Sequence, residues 1–389
     1  MTPFVFHNPV KVLFGEGQIG SMGREIPQGS RVLLAYGGGS IKTNGVYDQV
    51  VSALQKAGLV FIEFSGIEPN PKFETLMRAV ELARSEKLDF VLAVGGGSVA
   101  DGCKFIAAAI PFAGDPWTIL SKGAKVASAV PMGIVLTLPA TGSEMNGYAV
   151  ISREATAEKL AFGSPACMPR FAVLDPKTTF TLPARQIGNG IVDAFVHVLE
   201  QYLTFPADAP LQDRMAESVL STLIEIAPRA MAEPPVYEAR ANLMWCATMA
   251  LNGLIAVGVP QDWSTHLIGH ELTALYGIDH ARTLAGVWPG LVQVQRDTKK
   301  DKLLQFARRV WNVGEGGDEE ARIDAAIGRT KAFFESVGVP AGLKSYGLDK
   351  GTPQLVAKRL EQRGGLPMGE RKDIDAKAVE RILSLAMDV

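Results

Sequence analysis

Cysteine and histidine are both scarce in this 389-residue chain, which contains three cysteines and five histidines. The cysteines, Cys103, Cys167 and Cys246, are odd in number and far apart, so they fit neither a disulfide framework nor a thiolate metal site. This usage favours a reducing compartment. Because the N-terminal segment also lacks the basic-then-apolar order of a signal peptide, we expect a cytoplasmic protein.

Long basic blocks and long apolar runs are absent as well. No block of lysine and arginine exceeds two residues and the net charge is −2, whereas nucleic-acid-binding proteins normally carry a basic patch. The longest weakly polar segment, residues 126–142, is interrupted by two prolines and is shorter than the roughly 20 apolar residues that cross a bilayer. We therefore expect neither nucleic acid nor a membrane as a partner.

The first half of the chain contains a regular alternation of two patterns. Apolar runs rich in strand-forming residues occupy residues 31–36, 59–64, 89–94 and 133–138, and the stretches between them have apolar residues at helical spacing. This alternation predicts βαβ units and a mostly parallel sheet. Ahead of it, residues 4–7 and 10–14 flank Asn8-Pro9 and predict a small hairpin.

The pattern changes after Pro183, because the periodicity is then helical almost throughout. The sequence therefore predicts an α/β nucleotide-binding domain over residues 1–183 and an all-helical metal-binding domain over residues 184–389. Since small-molecule sites favour domain interfaces, we expect the active site in the gap between the two.

Two glycine-rich loops follow predicted strands. The second, Gly95-Gly-Gly-Ser98, opens a helix, where free backbone N–H groups and the helix N-terminus can hold a phosphate. The segment from Gly95 to Ala100 is also a loose match to the dinucleotide fingerprint. Taken alone, this loop is equally well explained as a plain strand-to-helix turn.

The first loop, Gly37-Gly-Gly-Ser40, bears on which dinucleotide is bound. NAD sites usually place an acidic residue on the ribose 2′-hydroxyl, and none lies between Tyr36 and Thr43. Ser40 and Lys42 could instead accept a 2′-phosphate. The loop favours NADP(H) over NAD(H), unless an acidic residue from elsewhere binds the ribose.

Four of the five histidines lie in the second half, together with an aspartate at helical spacing. Asp193 and His197 are four residues apart, as are His266 and His270, so each pair shares one helix face. His280 follows a predicted turn. One carboxylate and several imidazoles suit Zn²⁺ or Fe²⁺, are too rich in nitrogen for Mg²⁺ or Ca²⁺, and lack the thiolates of a structural zinc site. Each histidine alone is more often structural, but the cluster predicts a metal site.

A dinucleotide and a metal ion together predict hydride transfer to a metal-polarised carbonyl group. Two alternatives stay open: a lyase or cyclase that uses the nucleotide transiently, and a metal-dependent hydrolase that binds no nucleotide. Common hydrolase motifs are absent. His270-Glu271 has Ala274 where a second histidine is needed, and residues 141–145 do not form Gly-x-Ser-x-Gly.

Several motifs in order resemble the iron-containing alcohol dehydrogenases over essentially the whole chain. They are Gly95-Gly-Gly-Ser98-x-x-Asp101, Pro139-Ala-Thr-Gly-Ser-Glu144, Asp193-x3-His197 and His266-x3-His270-x9-His280. The likeness is strongest to bacterial NADPH-dependent aldehyde reductases and butanol dehydrogenases. It implies a Rossmann-like domain followed by a helical domain, a homodimer, and metal-dependent reduction of short- and medium-chain aldehydes to primary alcohols. The alternative within the same fold is a dehydroquinate synthase-like lyase or cyclase.

The resemblance also implies roles for individual residues. The metal ligands map onto Asp193, His197, His266 and His280, with Fe²⁺ or Zn²⁺ as the first candidates and Mn²⁺ or Ni²⁺ also compatible. His270 becomes a catalytic residue that is not a ligand and that positions the substrate or relays a proton. The implied NADP(H) contacts form the larger set: Gly38, Gly39, Ser40, Asn70, Gly95, Gly96, Gly97, Ser98, Asp101, Thr137, Leu138, Thr141, Asn146, Lys159 and Thr178.

Overall fold

The strands of the protein all lie in its first half. The computed structural model describes residues 1–389 and has eight of them. In chain order they are β1 (Lys11–Phe14), β2 (Arg31–Tyr36), β3 (Val60–Phe64), β4 (Phe90–Gly96), β5 (Met132–Leu138), β6 (Tyr148–Arg153), β7 (Glu158–Gly163) and β8 (Phe171–Leu174). Six of them form a parallel sheet in the order β1-β8-β5-β4-β2-β3, and β6 and β7 form a separate antiparallel pair. The predicted parallel sheet is confirmed.

Fourteen α-helices complete the fold. Those among the strands are α1 (Ser40–Thr43), α2 (Val46–Lys56), α3 (Phe73–Ser85), α4 (Gly97–Ala109) and α5 (Thr118–Ser121). Those that follow are α6 (Ala184–Tyr202), α7 (Pro210–Ala230), α8 (Tyr237–Ala250), α9 (Ser264–Tyr276), α10 (His280–Val294), α11 (Lys300–Arg309), α12 (Glu319–Ser336), α13 (Thr352–Gln362) and α14 (Ala376–Asp388). None of them combines the length and apolar composition required to cross a bilayer. The second half is helical, as predicted.

The central strands are apolar on both faces, because helices cover both sides of the sheet. Successive side chains of a strand point to opposite faces. Leu33 of β2 accordingly packs in a cluster with residues of α3 and α4, whereas its neighbours Val32 and Leu34 pack in another with residues of α2. A continuous apolar run here therefore indicates a strand buried between two helical layers.

The order of the strands places the two glycine loops side by side. β2 is bonded to β3 on one side and to β4 on the other, so the connections leaving β2 and β4 diverge. Ligands of open α/β sheets bind in the crevice at this kind of switch point, beyond the carboxyl ends of the strands. The register between β4 and β5 also shifts at Gly95 and Gly96, which re-aims the backbone where the second loop begins.

The hairpin predicted near the N-terminus is wrong. Residues 1–10 form no strand, and Lys11–Phe14 pairs in parallel with Phe171–Leu174 at the edge of the main sheet. Pro3 and Pro9 provide no N–H group for a ladder, and the apolar run Phe4, Val5 and Phe6 is left exposed rather than paired in a sheet. The real hairpin, β6–β7, and the short strand β8 were not predicted.

The chain divides into two compact units. One consists of Met1–Phe6, Ala184–Glu233 and Met249–Val389, and the other of His7–Pro183 and Pro234–Thr248. The first unit has an apolar core formed by α9, α10, α13 and α14, with Ile268, Val287, Val356 and Ile382 among its members. The second unit contains the sheet and the helices that cover it.

Two glycines of the helical unit are expected to respond in opposite ways to alanine. A Cβ on Gly290 of α10 would lie 2.1 Å from the backbone oxygen of Ile382, whereas one on Gly328 of α12 meets nothing within 4 Å. We expect Gly290→Ala to lower the free energy of unfolding by about 2 kcal/mol through overpacking. Gly328→Ala is expected to raise it by about 0.5–1 kcal/mol, because alanine favours the helix. Urea unfolding of both variants tests the pair, and equal effects would contradict it.

Candidate active site

The carboxylate and imidazoles predicted to bind a metal lie in the helical unit, where three helices contribute them. α6 supplies Asp193 and His197, α9 supplies His266, and α10 begins at His280. One potential ligand atom from each of Asp193, His266 and His280 lies within 4.8 Å of the other two. Asp193 Oδ1 is 3.7 Å from His280 Nε2 and 3.7 Å from His197 Nδ1. Three of the four predicted ligands therefore converge at one place, and the fourth, His197, lies beside Asp193.

Local sequence explains how His280 reaches the other ligands. Gly277 ends α9 in the left-handed conformation, at φ 67°, which glycine adopts without strain. The chain turns and α10 starts after Asp279, whose Oδ2 accepts hydrogen bonds from Arg185 (2.9 Å) and Asn189 (3.0 Å) of α6. The helix that carries Asp193 thus anchors the first turn of the helix that carries His280.

Burial keeps the His197 imidazole in the form that binds metals. The side chain is almost fully buried, and desolvation lowers its pKa from 6.5 to about 4, although neighbouring Asp193 opposes the shift. Its Nδ1 is buried without a hydrogen-bond partner. A neutral imidazole that lies beside a carboxylate, and whose ring nitrogen makes no hydrogen bond, can coordinate a metal ion.

The residues present fit a divalent transition metal. A buried carboxylate such as Asp193, which is 2% exposed, is costly unless a cation compensates it. Imidazole and carboxylate donors without thiolates match Fe²⁺ and Zn²⁺. A bound cation would compensate the charge of the carboxylate and would give Nδ1 of His197 a partner.

His270 lies beside this cluster on the same face of α9 as His266. Its ring centroid is 5.2 Å from that of His280 and 6.2 Å from that of His266, and the residue is 8% exposed. It is not among the three residues whose ligand atoms converge. His270 therefore lies at the edge of the candidate metal site, next to the proposed ligands.

Sequence reasoning missed two residues beside the proposed metal ligands. Trp263, which precedes α9 with φ 66°, lies edge-on to His266, at 5.3 Å between ring centroids, and to His197, at 6.2 Å. Glu200 of α6 contacts the His266 ring. Burial raises the pKa of the Glu200 carboxyl, and Asp262 adds to the shift. The signal for Glu200 was available, since it stands three residues after His197 and therefore on the same face of α6.

The nucleotide residues predicted around the second glycine loop gather at the carboxyl end of β4. Gly96 caps α4 without a side-chain hydrogen bond, so the N-terminus of this buried 13-residue helix keeps free N–H groups for an anion. A Cβ on Gly97 would lie 2.5 Å from Thr141, so only glycine fits there. Ser98 Oγ accepts from the backbone of Asn70 (3.2 Å), whose side-chain oxygen accepts from Lys159 (2.9 Å).

Other predicted contacts flank this loop. Gly95 and Leu138 lie where β4 and β5 end, and Thr137 is the preceding residue of β5. Thr178 donates to the backbone oxygen of Leu136, at 3.1 Å, and is thereby held against β5. Each of these residues borders the carboxyl edge of the sheet.

Asp101 and Asn146 are engaged within the protein. The two oxygens of half-buried Asp101 accept from the Ser143 hydroxyl (2.6 Å) and the Val150 backbone N–H (2.9 Å). Asn146 Oδ1 accepts from Lys104 (3.0 Å), a buried lysine that sequence reasoning missed. Burial lowers the pKa of Lys104 to about 8, while nearby Asp101 and Glu144 oppose the shift. These hydrogen bonds hold the segment that follows Thr141 in place.

The first glycine loop carries Gly38, Gly39 and Ser40 into the one-turn helix α1, with Gly39 at φ 99°. Just beyond it, Lys42 lies over the rings of Tyr36 and Tyr47, at 5.2 and 4.7 Å from their centroids. Its Nζ is 3.4 Å from Glu63, near the end of β3. Sequence reasoning missed this acidic neighbour because it lies 21 residues further along the chain.

Hydrogen bonds hold Glu63 in its charged form. Its two oxygens accept from the hydroxyls of Tyr36 (2.6 Å) and Tyr47 (2.5 Å). These bonds lower the pKa of the Glu63 carboxyl, with Tyr36 as the largest cause. The first loop is therefore bordered by one cation and one anion that neutralise each other.

Comparison with known proteins identifies relatives over the whole chain. Residues 9–176 match the family model "Iron-containing alcohol dehydrogenase", and residues 188–387 match "Fe-containing alcohol dehydrogenase family, C-terminal". The chain is 57% identical over 389 residues to the NADPH-dependent aldehyde reductase YqhD of Escherichia coli, covering 99% of this chain and 100% of that one. It is 40% identical over 384 residues to NADH-dependent butanol dehydrogenase A of Clostridium acetobutylicum, covering 98% and 99%.

Solved structures agree with these relatives. The crystal structure of Escherichia coli YqhD superposes with a TM-score of 0.97 at 56% identity, over 99% of each chain. A butanol dehydrogenase A structure from Thermotoga maritima superposes with a TM-score of 0.94 at 40% identity, also over 99% of each chain. Since both halves match and the likeness extends over nearly the full length, this chain belongs to the iron-containing alcohol dehydrogenase family.

Proposed function

We propose that this protein catalyses metal-dependent, NADPH-linked reduction of short- and medium-chain aldehydes to primary alcohols, and the reverse oxidation. The observation that carries the proposal is the 57% identity over 389 residues to a protein named as an NADPH-dependent aldehyde reductase. Relatives named as butanol dehydrogenases, at 40% identity, support a small apolar substrate.

The reaction converts an aldehyde, NADPH and a proton into a primary alcohol and NADP⁺. A divalent cation held by Asp193 and the histidines would supply a Lewis acid that polarises the carbonyl group, and the nicotinamide would supply the hydride. The protein itself has to bind and orient the aldehyde and to deliver the proton. We assign the proton relay or the positioning of the substrate to His270, because it is buried beside the proposed ligands, with its ring centroid 5.2 Å from that of His280.

We propose Asp193, His197, His266 and His280 as the ligands and Fe²⁺ or Zn²⁺ as the ion. The proposal is supported by the convergence of their side chains and by the neutral state of His197. Carboxylate and imidazole donors hold either metal, so availability decides between them. Metal analysis of the purified protein, followed by reloading with each ion separately, identifies the active form.

For the nucleotide we propose NADPH over NADH. Glu63, the acidic residue that contacts Lys42 beside the first glycine loop, is bonded to two tyrosine hydroxyls. Lys42 remains about half exposed, so its ammonium can also meet a 2′-phosphate. The relatives named as NADH-dependent make NADH the alternative, in which Glu63 would bind the ribose hydroxyl.

A dehydroquinate synthase-like lyase is not favoured. The two family models that match are those of alcohol dehydrogenases, and the relatives at 40% identity or more are named as reductases or dehydrogenases. The site also offers three imidazoles that meet one carboxylate rather than the glutamate-and-two-histidine set expected of that class.

We further propose a homodimer in the cytoplasm. β1 is an edge strand of the sheet, so its open side can pair with a second copy, and Phe14 at its end is 40% exposed. The three cysteines are buried and free, which suits a reducing compartment. The molar mass in solution, measured by light scattering, tests the dimer, and a value of one chain would contradict it.

The functional test is the loss of NADPH absorbance with butanal before and after chelation. We expect consumption of NADPH that chelation abolishes, that Fe²⁺ or Zn²⁺ restores, and that NADH supports at least 10-fold less well. Alcohol formed per NADPH consumed should be one to one. Release of metal removes the carbonyl polarisation, which is worth several kcal/mol.

Two outcomes would each contradict a different part of the proposal. A folded, metal-loaded protein that leaves NADPH intact would remove the aldehyde reductase assignment and favour the lyase. Equal rates with NADH and NADPH would leave the reductase in place but remove the nucleotide preference. Protein incubated with the metal-saturated chelator is the control for non-specific damage.

A further inference from the structure

A second buried carboxylate lies on the metal-binding face of α6. Glu200 follows Asp193 by seven residues and His197 by three, so the three side chains share one helix face. Glu200 is 4% exposed. Glu200 is not among the residues whose potential ligand atoms converge, which are Asp193, His266 and His280.

Glu200 is bonded to the start of α9 through both of its oxygens. Oε1 accepts from the backbone N–H groups of Thr265, at 2.6 Å, and His266, at 3.4 Å. Oε2 contacts Nδ1 of the His266 ring. The residue that would normally cap α9, Trp263, makes no side-chain cap. Glu200 therefore caps α9 from a neighbouring helix and, with its other oxygen, holds the imidazole of a proposed ligand.

We infer that Glu200 is a positioning residue that fixes the His266 ring and directs its Nε2 toward the metal, an inference that rests on the metal site of the proposed function. A neutral imidazole has one N–H and one lone pair. With Nδ1 against Glu200, Nε2 is the nitrogen left for a cation, and a cation at Nε2 leaves the ring proton on Nδ1, facing the carboxylate oxygen. Such outer carboxylates orient metal-binding histidines and strengthen their donor nitrogen.

The surroundings of Glu200 are fixed independently of it. Asp262, just before α9, accepts from the Ser264 backbone N–H at 3.0 Å and pairs with buried Lys299 at 2.9 Å. Lys299 also binds Glu370, at 2.8 Å, and the backbone oxygen of Leu203, at 2.7 Å. Since these bonds hold the segment before α9, we expect a change at Glu200 to leave the fold intact and to act on the His266 ring.

Glu200→Gln tests the inference at nearly constant volume. An amide has one acceptor oxygen, so it cannot accept from both the backbone N–H groups and the ring N–H. We expect Zn²⁺ affinity, measured by competition with a chromophoric chelator, to fall 10–100-fold. The visible absorption of the Co²⁺-loaded protein should also change. Both readouts are independent of turnover.

Glu217→Gln is the matched control. Glu217 is also a buried glutamate of the helical unit, but its Oε1 accepts from Tyr202 (2.9 Å), Gln305 (2.8 Å) and Arg309 (3.1 Å) and not from a histidine. We expect this variant to lose stability while keeping the Zn²⁺ affinity of the wild type. Wild-type affinity in Glu200→Gln, or an equal loss in Glu217→Gln, would overturn the inference.

A measurement on the wild-type protein guards against a variant that fails to fold. Nitrogen-15 spectra of the histidine rings in the Zn²⁺-loaded protein should show His266 protonated at Nδ1 and metal-bound at Nε2. The reverse arrangement would overturn the inference. Tight Zn²⁺ binding without aldehyde reduction would contradict the proposed function only, whereas a wild type that binds no divalent metal would overturn both.

Discussion

Replacing Asp193 with asparagine is expected to lower kcat/KM for the NADPH-dependent reduction of butanal by about 10³-fold, equivalent to about 4 kcal/mol. Asp193 Oδ1 lies 3.7 Å from both His197 and His280 and is the anionic donor among the proposed ligands. Asparagine retains the shape but removes the charge that holds a cation in a buried site. The measurements are steady-state kinetics and the metal content of the purified variant.

Asp213→Asn is the control for this variant. Asp213 lies on α7 in the same helical unit and pairs with Lys302 at 2.5 Å, away from the proposed ligands. We expect wild-type activity and metal content from it. NADPH affinity, measured by nucleotide fluorescence, should be unchanged in both variants. An Asp193→Asn protein that keeps its metal and at least a tenth of its activity would contradict the assignment.

Replacing Gly97 with valine is expected to weaken NADPH binding by about 100-fold, equivalent to about 3 kcal/mol. A Cβ at Gly97 would lie 2.5 Å from Thr141 Cγ2 and Oγ1, and valine adds two further methyl groups there. Because Gly97 is the first residue of α4, relieving this contact would displace the N-terminus of the helix, where we propose that a phosphate of the nucleotide binds. Fluorescence titration with NADPH gives the dissociation constant.

Gly20→Val separates this steric effect from a general loss of glycine. Gly20 lies in the same unit, exposed, and a Cβ there meets nothing within 4 Å. We expect it to bind NADPH as the wild type does, and both variants to bind Zn²⁺ normally. Wild-type NADPH affinity in Gly97→Val would remove the second glycine loop from the nucleotide site.

The elements that could be predicted were those whose pattern follows from local geometry. Apolar runs that end in Gly37 and Gly95 predicted β2 and β4, because a strand covered on both faces has no polar alternation. The order β1-β8-β5-β4-β2-β3 could not be predicted, since periodicity carries no information about neighbours. The prediction for the edge strand β1 was wrong for the same reason. A short apolar run is equally compatible with a hairpin with residues 4–7 and with a parallel pairing with β8.

The candidate site likewise has a part that could be predicted from the sequence and a part that could not. Spacing of four residues predicted that Asp193 and His197 share a face and that His266 and His270 do so, because a helix repeats every 3.6 residues. The neighbour of Lys42, Glu63, was outside the range of such reasoning, since β3 brings it there from 21 residues away.

The sequence by itself determined the class of fold, the change to helices after Pro183, and the residue types that meet in the proposed metal site. It did so because helix and strand periodicity and the chemistry of imidazole and carboxylate are local properties. Only the tertiary structure decided that Arg185 and Asn189 anchor Asp279 beside His280, that Asp101 is occupied by internal hydrogen bonds, and that Glu200 reaches the His266 ring. These depend on helix packing and strand order, which bring together residues that the chain keeps far apart.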